Sequence, residues 1–228
     1  MSTTDHSADA RTGGAATHPS SPPRGRRSIR ASRPLMGWRT VDLLTIAFLG
    51  AAFGVAYWGW DLGYEGPSNL VSAAFPPLAG LVVGPWFMAG VVGGLVVRRP
   101  GAAFACEVVA ALVSMLPGTK WGTGTLLAGL LQGAGAELAF ALLGYGAFGV
   151  GAAALAGALS APLEIFYEWH AYYADWDWAY KLAYLGACML SGLVVAGVVG
   201  WLLTKALARA GALNAFPPGQ EEREQRAV

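Results

Sequence analysis

Charged side chains are scarce in this sequence of 228 residues, of which only 13 % are Asp, Glu, Lys or Arg. Soluble domains carry about 25 % charged residues, so this composition is far from that of an ordinary soluble domain. Hydrophobic residues make up 55 % of the chain, and 32 residues are glycine. The composition therefore predicts an all-α membrane protein that crosses the bilayer several times.

Several catalytic and metal-binding patterns are also missing. No P-loop or other nucleotide-binding pattern occurs, so we do not expect the chain to hydrolyse ATP by itself. The two cysteines, Cys106 and Cys188, lie in apolar runs and offer neither a disulfide framework nor a CxxC metal site. His170 lies near Glu168, but the other two histidines are close to the N-terminus and no HExxH motif occurs. We therefore predict no metal and no other cofactor.

Both ends of the chain are polar. Residues 1–37 are rich in Ser, Thr, Ala, Pro and Arg, which predicts a disordered, basic, cytoplasmic tail without a signal peptide. A basic cluster before the first apolar run indicates contact with anionic membrane lipid, whereas a nucleic-acid-binding arm is the less favoured interpretation. This cluster consists of Arg24, Arg26, Arg27, Arg30 and Arg33. Residues 211–228 are predicted to be a second solvated, cytoplasmic tail.

Six apolar runs predict a bundle of about six transmembrane helices within residues 38–210, which would form a single transmembrane domain. The predicted spans are residues 38–60, 75–97, 101–116, 123–143, 148–169 and 178–207. Pro76, Pro77 and Pro85 remove backbone donors, so the second span should be bent or broken. Splitting that span at Gly84 and Pro85 would give seven segments instead.

The distribution of positive charge favours six spans. With the N-terminus inside, thirteen Lys and Arg residues fall on the inner side, and only Lys120 and Lys181 fall outside. A seventh span would move Arg98 and Arg99, or the basic residues near the C-terminus, to the outer side, against the positive-inside rule. We therefore expect a multi-pass protein of the plasma membrane with both termini in the cytoplasm.

Two carboxylates lie within the third and fourth predicted spans. Burying such a group in a membrane helix costs about 2.5–3.5 kcal/mol, so Glu107 and Glu137 are candidates for a functional site. At about 1.5 Å per residue both lie about 10 Å from the inner ends of their helices, and they could share one site. Alternatively, each is protonated or bonded to the backbone and has a structural role. Gln132 lies about 140° around the helix from Glu137 and should not share its face.

The predicted outer face combines acids with aromatic rings. Six acids on this side face only two lysines, and Glu164 and Glu168 share one helix face because they are four residues apart. Aromatic faces attract cations, so this side suits a small cationic or aromatic ligand. The rings could instead form the aromatic belt found at headgroup level. With Glu107 and Glu137, the candidate ligand residues are Trp58, Trp60, Trp121, Glu164 and Glu168.

The sequence resembles the S components of energy-coupling-factor (ECF) vitamin transporters, and within them the YkoE family, which is associated with thiamine or its hydroxymethylpyrimidine (HMP) precursor. The resemblance covers residues 38–208 and includes the start of the first span (residues 38–42), the turn at residues 98–101 and the Glu107 helix. Its most specific part is residues 121–140, which contain the run Gln132-Gly133-Ala134-Gly135-Ala136-Glu137.

The resemblance implies a six-helix binding protein without ATPase activity that works with a transmembrane coupling protein and two cytoplasmic ATPases. It also implies that Ala47 and Ala51 contact the coupling protein and that substrate binds near the outer side, under the first loop. It does not distinguish thiamine from HMP. Two other hypotheses use Glu107 and Glu137: a membrane enzyme acting on a lipid or prenyl substrate, and a proton-coupled carrier.

Overall fold

A computed structural model describes residues 35–227, whose regular secondary structure is entirely helical. The α-helices are α1 (Thr40–Gly63), α2 (Glu65–Ser72), α3 (Met88–Val97), α4 (Ala102–Met115), α5 (Gly124–Leu142), α6 (Val150–Ala171), α7 (Trp178–Ser191), α8 (Gly200–Arg209) and α9 (Pro217–Arg226). The predicted all-α class is therefore confirmed. The predicted basic cluster near the N-terminus lies outside the described residues.

Within residues 35–227, four helices are long and apolar enough to cross a membrane, or five if one bent pair is counted as a span. The four are α1, α5, α6 and the continuous helix Trp178–Arg209, in which a π-helical segment, Gly192–Val199, joins α7 to α8. Helix α4 has 14 residues. A straight helix needs about 20 residues to cross the membrane. All six predicted apolar regions are thus helical, although the third is short.

The second predicted span is broken, as its prolines predict. Its two parts, Pro76–Val82 and Gly84–Val97, meet at an angle of 44°. Each part begins as a 3₁₀ helix with proline in its first turn. Ser191 holds the break, because its hydroxyl donates to the Leu81 carbonyl at 2.6 Å and accepts from the Gly84 amide at 2.9 Å. Helix α3 therefore begins at Met88 as a separate α-helix. The N–H groups of its first turn have no acceptor within the helix.

Helix α1 packs closely against α4 through two glycines. A side chain at Gly50 would place its Cβ 2.6 Å from Val109, and one at Gly54 would lie 2.5 Å from Val113. Ala47 and Ala51 lie elsewhere on α1, where Ala47 is exposed and Ala51 is half-buried. The small residues of α1 therefore divide between one face that packs inside the bundle and another that remains accessible.

A buried ion network closes the end of the bundle at which α1 begins. Asp42 is completely buried and accepts from Arg39 at 2.6 Å and from Arg99 at 2.7 Å, which ties α1 to the turn between α3 and α4. Arg98 adopts a left-handed conformation with φ of 54° at the end of α3. Its guanidinium lies 4.8 Å from the ring centre of Phe148, just before α6.

The C-terminal segment, predicted to be a solvated tail, is buried at Leu213 and at residues 216–219 and exposed at residues 223–227. Leu213 and Phe216 are buried against the bundle, and prolines at the first two helical positions start α9. Glu221 of α9 accepts two hydrogen bonds from Arg98, at 2.6 and 2.9 Å. Apolar burial and this paired charge fix the segment, whereas its polar composition alone had indicated a tail.

Candidate ligand-binding site

The structure contains a cavity of about 530 Å³ at the end of the bundle opposite the Asp42 network. This volume lies within the range of about 300–1,000 Å³ typical of small-molecule sites. Parts of α1, α2, α4, α5, α6 and α7 contribute to its walls, together with the broken segment before α3. Its charged lining residues are Asp61, Glu65, Glu107, Glu164, Glu168 and Lys120. Acids therefore outnumber basic side chains five to one.

Glu107 forms the deep end of the cavity. The Gly90 amide donates to its Oε2 atom at 2.6 Å, and the Tyr57 hydroxyl donates to the same atom at 3.2 Å. The Ala89 amide in turn donates to the Tyr57 oxygen at 2.8 Å. Both amides belong to the first turn of α3, where backbone N–H groups have no acceptor within the helix and, with the positive end of the helix dipole, favour a negative group. The proline break thus creates a helix N-terminus that positions Glu107.

The second carboxylate oxygen of Glu107, Oε1, is buried and has no hydrogen-bond partner within the part of the chain that the structure describes. Glu107 is only 1 % exposed, and a buried polar atom without a partner is costly. Trp169 and Glu222 have the other two such atoms in this part of the chain, and neither lines the cavity. Glu107 Oε1 is therefore the acceptor that a ligand inside the cavity could satisfy.

Small residues on α5 make room for Glu107. A Cβ at Gly133 would lie 3.0 Å from the Glu107 Cβ, and a Cβ at Gly129 would lie 2.3 Å from the Ala111 side chain. These glycines let α5 approach α4 closely at the level of the carboxylate. The glycine-rich run of α5 therefore allows this helix to pack against α4, which carries Glu107.

Two further acids lie on the α6 side of the cavity. Gln132 donates to Glu164 Oε1 at 2.7 Å, and the Tyr184 hydroxyl donates to Glu168 Oε2 at 2.8 Å. The shared face of Glu164 and Glu168, predicted from their spacing, is the cavity face. Each acid has a neutral hydrogen-bond donor, and neither forms a salt bridge with any other residue in the range 35–227. This wall therefore carries acids held in place by polar side chains.

Three aromatic rings, those of Tyr64, Trp86 and Trp121, cluster at the solvent-exposed end of the cavity, which is its mouth. Trp86 lies 4.8 Å from the ring centre of Tyr64 and 5.4 Å from that of Trp121, and all three residues line the cavity. The Trp86 indole donates to Asp61 at 2.9 Å. The cluster joins the junction of α1 and α2, the broken segment and the turn before α5. Its rings are inclined to one another, by 54° for Tyr64 and Trp86 and by 84° for Trp86 and Trp121, so a ring-shaped ligand would stack on the face of one ring and meet the edge of another.

A surface ion pair lies beside these rings. Lys120 Nζ is 2.8 Å from Glu65 Oε1, and it lies 4.7 Å from the Trp121 ring and 5.4 Å from the Tyr64 ring. The hydrogen bond from Lys120 lowers the pKa of Glu65 from its ordinary value, so this acid remains charged at neutral pH. The mouth of the cavity thus contains an acid, a cation and two rings in direct contact.

Glu137 does not line the cavity, so the expectation that it shares one site with Glu107 is wrong. Its carboxylate accepts from the Gly101 amide at 2.7 Å, the Ala103 amide at 3.0 Å and the Tyr145 hydroxyl. It therefore caps the first turn of α4, which is the structural alternative considered for it. Because the two acids serve different sites, the hypotheses that pair them as an acid/base couple or a proton relay lose their geometric basis.

The structure brings only some of the other predicted site residues to the cavity. Trp121, Glu164 and Glu168 line it, but Trp58 and Trp60 do not. The Trp60 indole instead donates to the Val82 carbonyl at 3.2 Å. Sequence reasoning did not select four cavity residues that the structure adds: Tyr57, Trp86, Gln132 and Tyr184. For Trp86 a signal existed, because interrupted membrane helices often line ligand sites.

The fold and this cavity match a known class of transport subunit. A solved structure described as the crystal structure of an S-component of an ECF transporter shares the fold with a TM-score of 0.77 and 28 % sequence identity. The match covers 84 % of this chain and 96 % of that one. The fold thus defines a multi-pass membrane transport subunit of the S-component class.

Two sequence matches narrow the assignment. Residues 41–163 match the family described as ABC-type cobalt transport system, permease component. The Bacillus subtilis (strain 168) protein YkoE, named as a candidate HMP/thiamine permease, is 29 % identical over 194 residues, which cover 84 % of this chain and 96 % of YkoE. The chain belongs to the family of ABC-type cobalt transport permease components. Within it the chain is a YkoE-family S component, which is a transport subunit rather than an enzyme. Within residues 35–227, no group of three or more His, Cys, Asp or Glu side chains is placed to hold a metal ion.

Proposed function

We propose that this chain is the substrate-binding subunit of an importer for thiamine or for its HMP moiety. The observation that carries the proposal is the buried Oε1 atom of Glu107, a residue that lines a cavity of small-molecule size; this atom has no hydrogen-bond partner among residues 35–227. The aminopyrimidine ring common to both compounds offers N–H donors to such an acceptor. Trp86 and Trp121 are nearly perpendicular, at 84°, so one of them is suited to stack on a planar heterocycle while the other contacts its edge.

The distribution of charge supports an orientation of the protein in the membrane. Arg39, Arg98 and Arg99 lie at the end of the bundle opposite the cavity, and Arg209 and Arg226 reach Glu222 of α9 beside that end. The positive-inside rule therefore supports a cavity that opens to the outside and a cytoplasmic C-terminus in the plasma membrane. Such an orientation suits uptake, because the cavity would bind ligand from outside the cell.

Isothermal titration calorimetry of the purified protein with thiamine and with HMP tests the proposed ligand class. We expect saturable binding of at least one of them with a stoichiometry near one, since the cavity lined by Glu107 has the size of a site for one small molecule. An unrelated cationic vitamin-sized compound that lacks the aminopyrimidine ring serves as the control. Absence of saturable binding for both compounds would overturn the proposed ligand class.

The aromatic mouth gives a separate prediction. Trp86→Ala and Trp121→Ala should each weaken ligand binding by about 1–3 kcal/mol, which is the cost of removing a stacked or well-packed ring. Trp58→Ala is the matched control, because Trp58 lies outside the cavity lining and its loss should leave affinity unchanged. Titration calorimetry measures all three variants. Equal affinities for the wild type and both mouth variants would show that these rings do not contact ligand.

The proposal also includes partners. The chain has no nucleotide-binding pattern, so energy for import would come from two cytoplasmic ATPases that act through a transmembrane coupling protein. The accessible small-residue face of α1 that contains Ala47 and Ala51 is suited to close contact with helices of that protein.

Replacing Ala47 and Ala51 together by Trp should abolish assembly with the coupling protein while leaving ligand binding intact, because added bulk prevents close helix approach. Leu138→Trp with Ala141→Trp, at exposed positions of α5, is the matched control. The measurement is co-purification of a tagged coupling protein from co-expressing cells. Normal recovery of the Ala47/Ala51 variant would remove this face from the interface.

A further inference from the structure

Lys120 is the only basic residue among the described residues that line the cavity, and it lies where a ligand cation would be attracted. Its ammonium group touches the Glu65 carboxylate at 2.8 Å and lies over the faces of Trp121 and Tyr64 at 4.7 and 5.4 Å. An acid flanked by aromatic faces is the usual environment for a bound organic cation. At the mouth of this cavity, the ammonium group of Lys120 occupies that environment.

We propose that Lys120 acts as an internal competitor that selects against positively charged ligands. This inference rests on the proposed function and names which of its ligands the mouth favours. A ligand cation that approaches Glu65 and the two rings must displace the ammonium group, whereas an uncharged ring that binds deeper in the cavity need not. Lys120 would therefore set the relative affinity for cationic and neutral members of the same ligand class.

The position of Lys120 makes such displacement feasible. The Lys120 side chain is 44 % exposed and that of Glu65 is 73 % exposed, so their ion pair is held weakly. Lys120 lies on the short turn between α4 and α5, where Gly118 and Gly122 have φ values of 94° and 55°. The flexible four-carbon stem of Lys120 can swing its ammonium group into solvent without disturbing the helices.

The two proposed ligands differ in the property that this competition would detect. Thiamine carries a permanent positive charge on its thiazolium ring, whereas HMP has no permanent charge. Loss of the ammonium group should therefore strengthen thiamine binding selectively. Because an exposed ion pair and an exposed cation–π contact are each weak, we expect an increase of about three- to tenfold in thiamine affinity.

The test is calorimetry at pH 8 with thiamine and HMP on the wild type, Lys120→Met, Lys120→Arg and Lys181→Met. Lys181 lies on the same side of the bundle but does not line the cavity, so its variant controls for the general loss of one charge. We expect only Lys120→Met to raise the ratio of thiamine to HMP affinity. Lys120→Arg should keep the wild-type ratio of affinities. If Lys120→Met cannot be purified, Lys120→Gln takes its place.

The outcomes separate this inference from the proposed function. If the wild type binds neither compound, the proposed function fails. If the wild type binds but the ratio in Lys120→Met is unchanged or falls, the competitor role is overturned, because Lys120 is then neutral toward ligand charge or assists binding. An equal rise for both compounds would show that Lys120 obstructs the mouth by its bulk, which also overturns the role.

Discussion

Glu107→Gln is expected to weaken binding of thiamine or HMP by about 1.5–3 kcal/mol, the range for a hydrogen bond that involves a charged group. The amide keeps the shape of the carboxylate but removes its charge. It also places an NH₂ group either toward the ligand or toward the Gly90 amide, where a donor would meet a donor. Titration calorimetry, which runs from subsaturating to saturating ligand, measures the loss of affinity.

Glu137→Gln is the matched control for that experiment. Both acids lie in predicted membrane spans, but Glu137 bonds to the start of α4 and lies outside the cavity lining. We expect its variant to bind ligand with wild-type affinity while losing thermal stability, because the cap of α4 is weakened. If Glu107→Gln bound normally and Glu137→Gln did not, the assignment of the two acids would be reversed.

Gly157→Ala is expected to destabilise the protein by about 3 kcal/mol or more, at the upper end of the range for overpacking. A Cβ at Gly157 would lie 2.1 Å from the carbonyl oxygen of Gly192, and a Cβ at Gly192 would lie 2.2 Å from that of Gly157. The two backbones therefore touch where α6 crosses the start of the π-helical segment. No flexible side chain is present there that could move aside.

Gly151→Ala on the same helix controls for helix propensity, since a Cβ at that position has no atom within 4 Å. Thermal unfolding in detergent should show a large drop in Tm for Gly157→Ala and none for Gly151→Ala. Because alanine favours a helix over glycine, the control could even gain stability. Equal melting temperatures for the two variants would mean that α6 and the π-helical segment do not pack as closely as described.

Much of the fold follows from patterns that the sequence displays directly. Apolar runs place the six helical regions, and Pro76, Pro77 and Pro85 predict the break in the second because proline cannot donate a backbone hydrogen bond. Four-residue spacing correctly puts Glu164 and Glu168 on one face. The composition does not reveal that the third region forms a helix of only 14 residues.

The candidate site was harder to predict because depth along a helix does not determine the direction in which a side chain points. Glu107 and Glu137 were placed at similar depth, yet one faces the cavity and the other faces the start of α4. The same ambiguity applies to Trp58 and Trp121, since an aromatic belt and a binding site attract the same residue types. Trp86 lines the cavity only because the chain breaks just before it.

The C-terminal helix shows a different limit of sequence reasoning. Residues 217–226 are nearly all polar, so composition alone indicates solvent exposure. Their anchors are Leu213 and Phe216, which precede the helix, and the partner of Glu221, Arg98, is 123 residues away. A contact over that separation is specified by the tertiary fold and has no local signature.

The most direct measurement is an experimental structure of the protein with thiamine or HMP at saturating concentration. We expect the aminopyrimidine ring to lie in the cavity with a nitrogen about 3 Å from Glu107 Oε1. We also expect the ligand to pack against Trp86 or Trp121. A ligand bound outside this cavity, or inside it with Glu107 Oε1 still lacking a partner, would contradict the central claim.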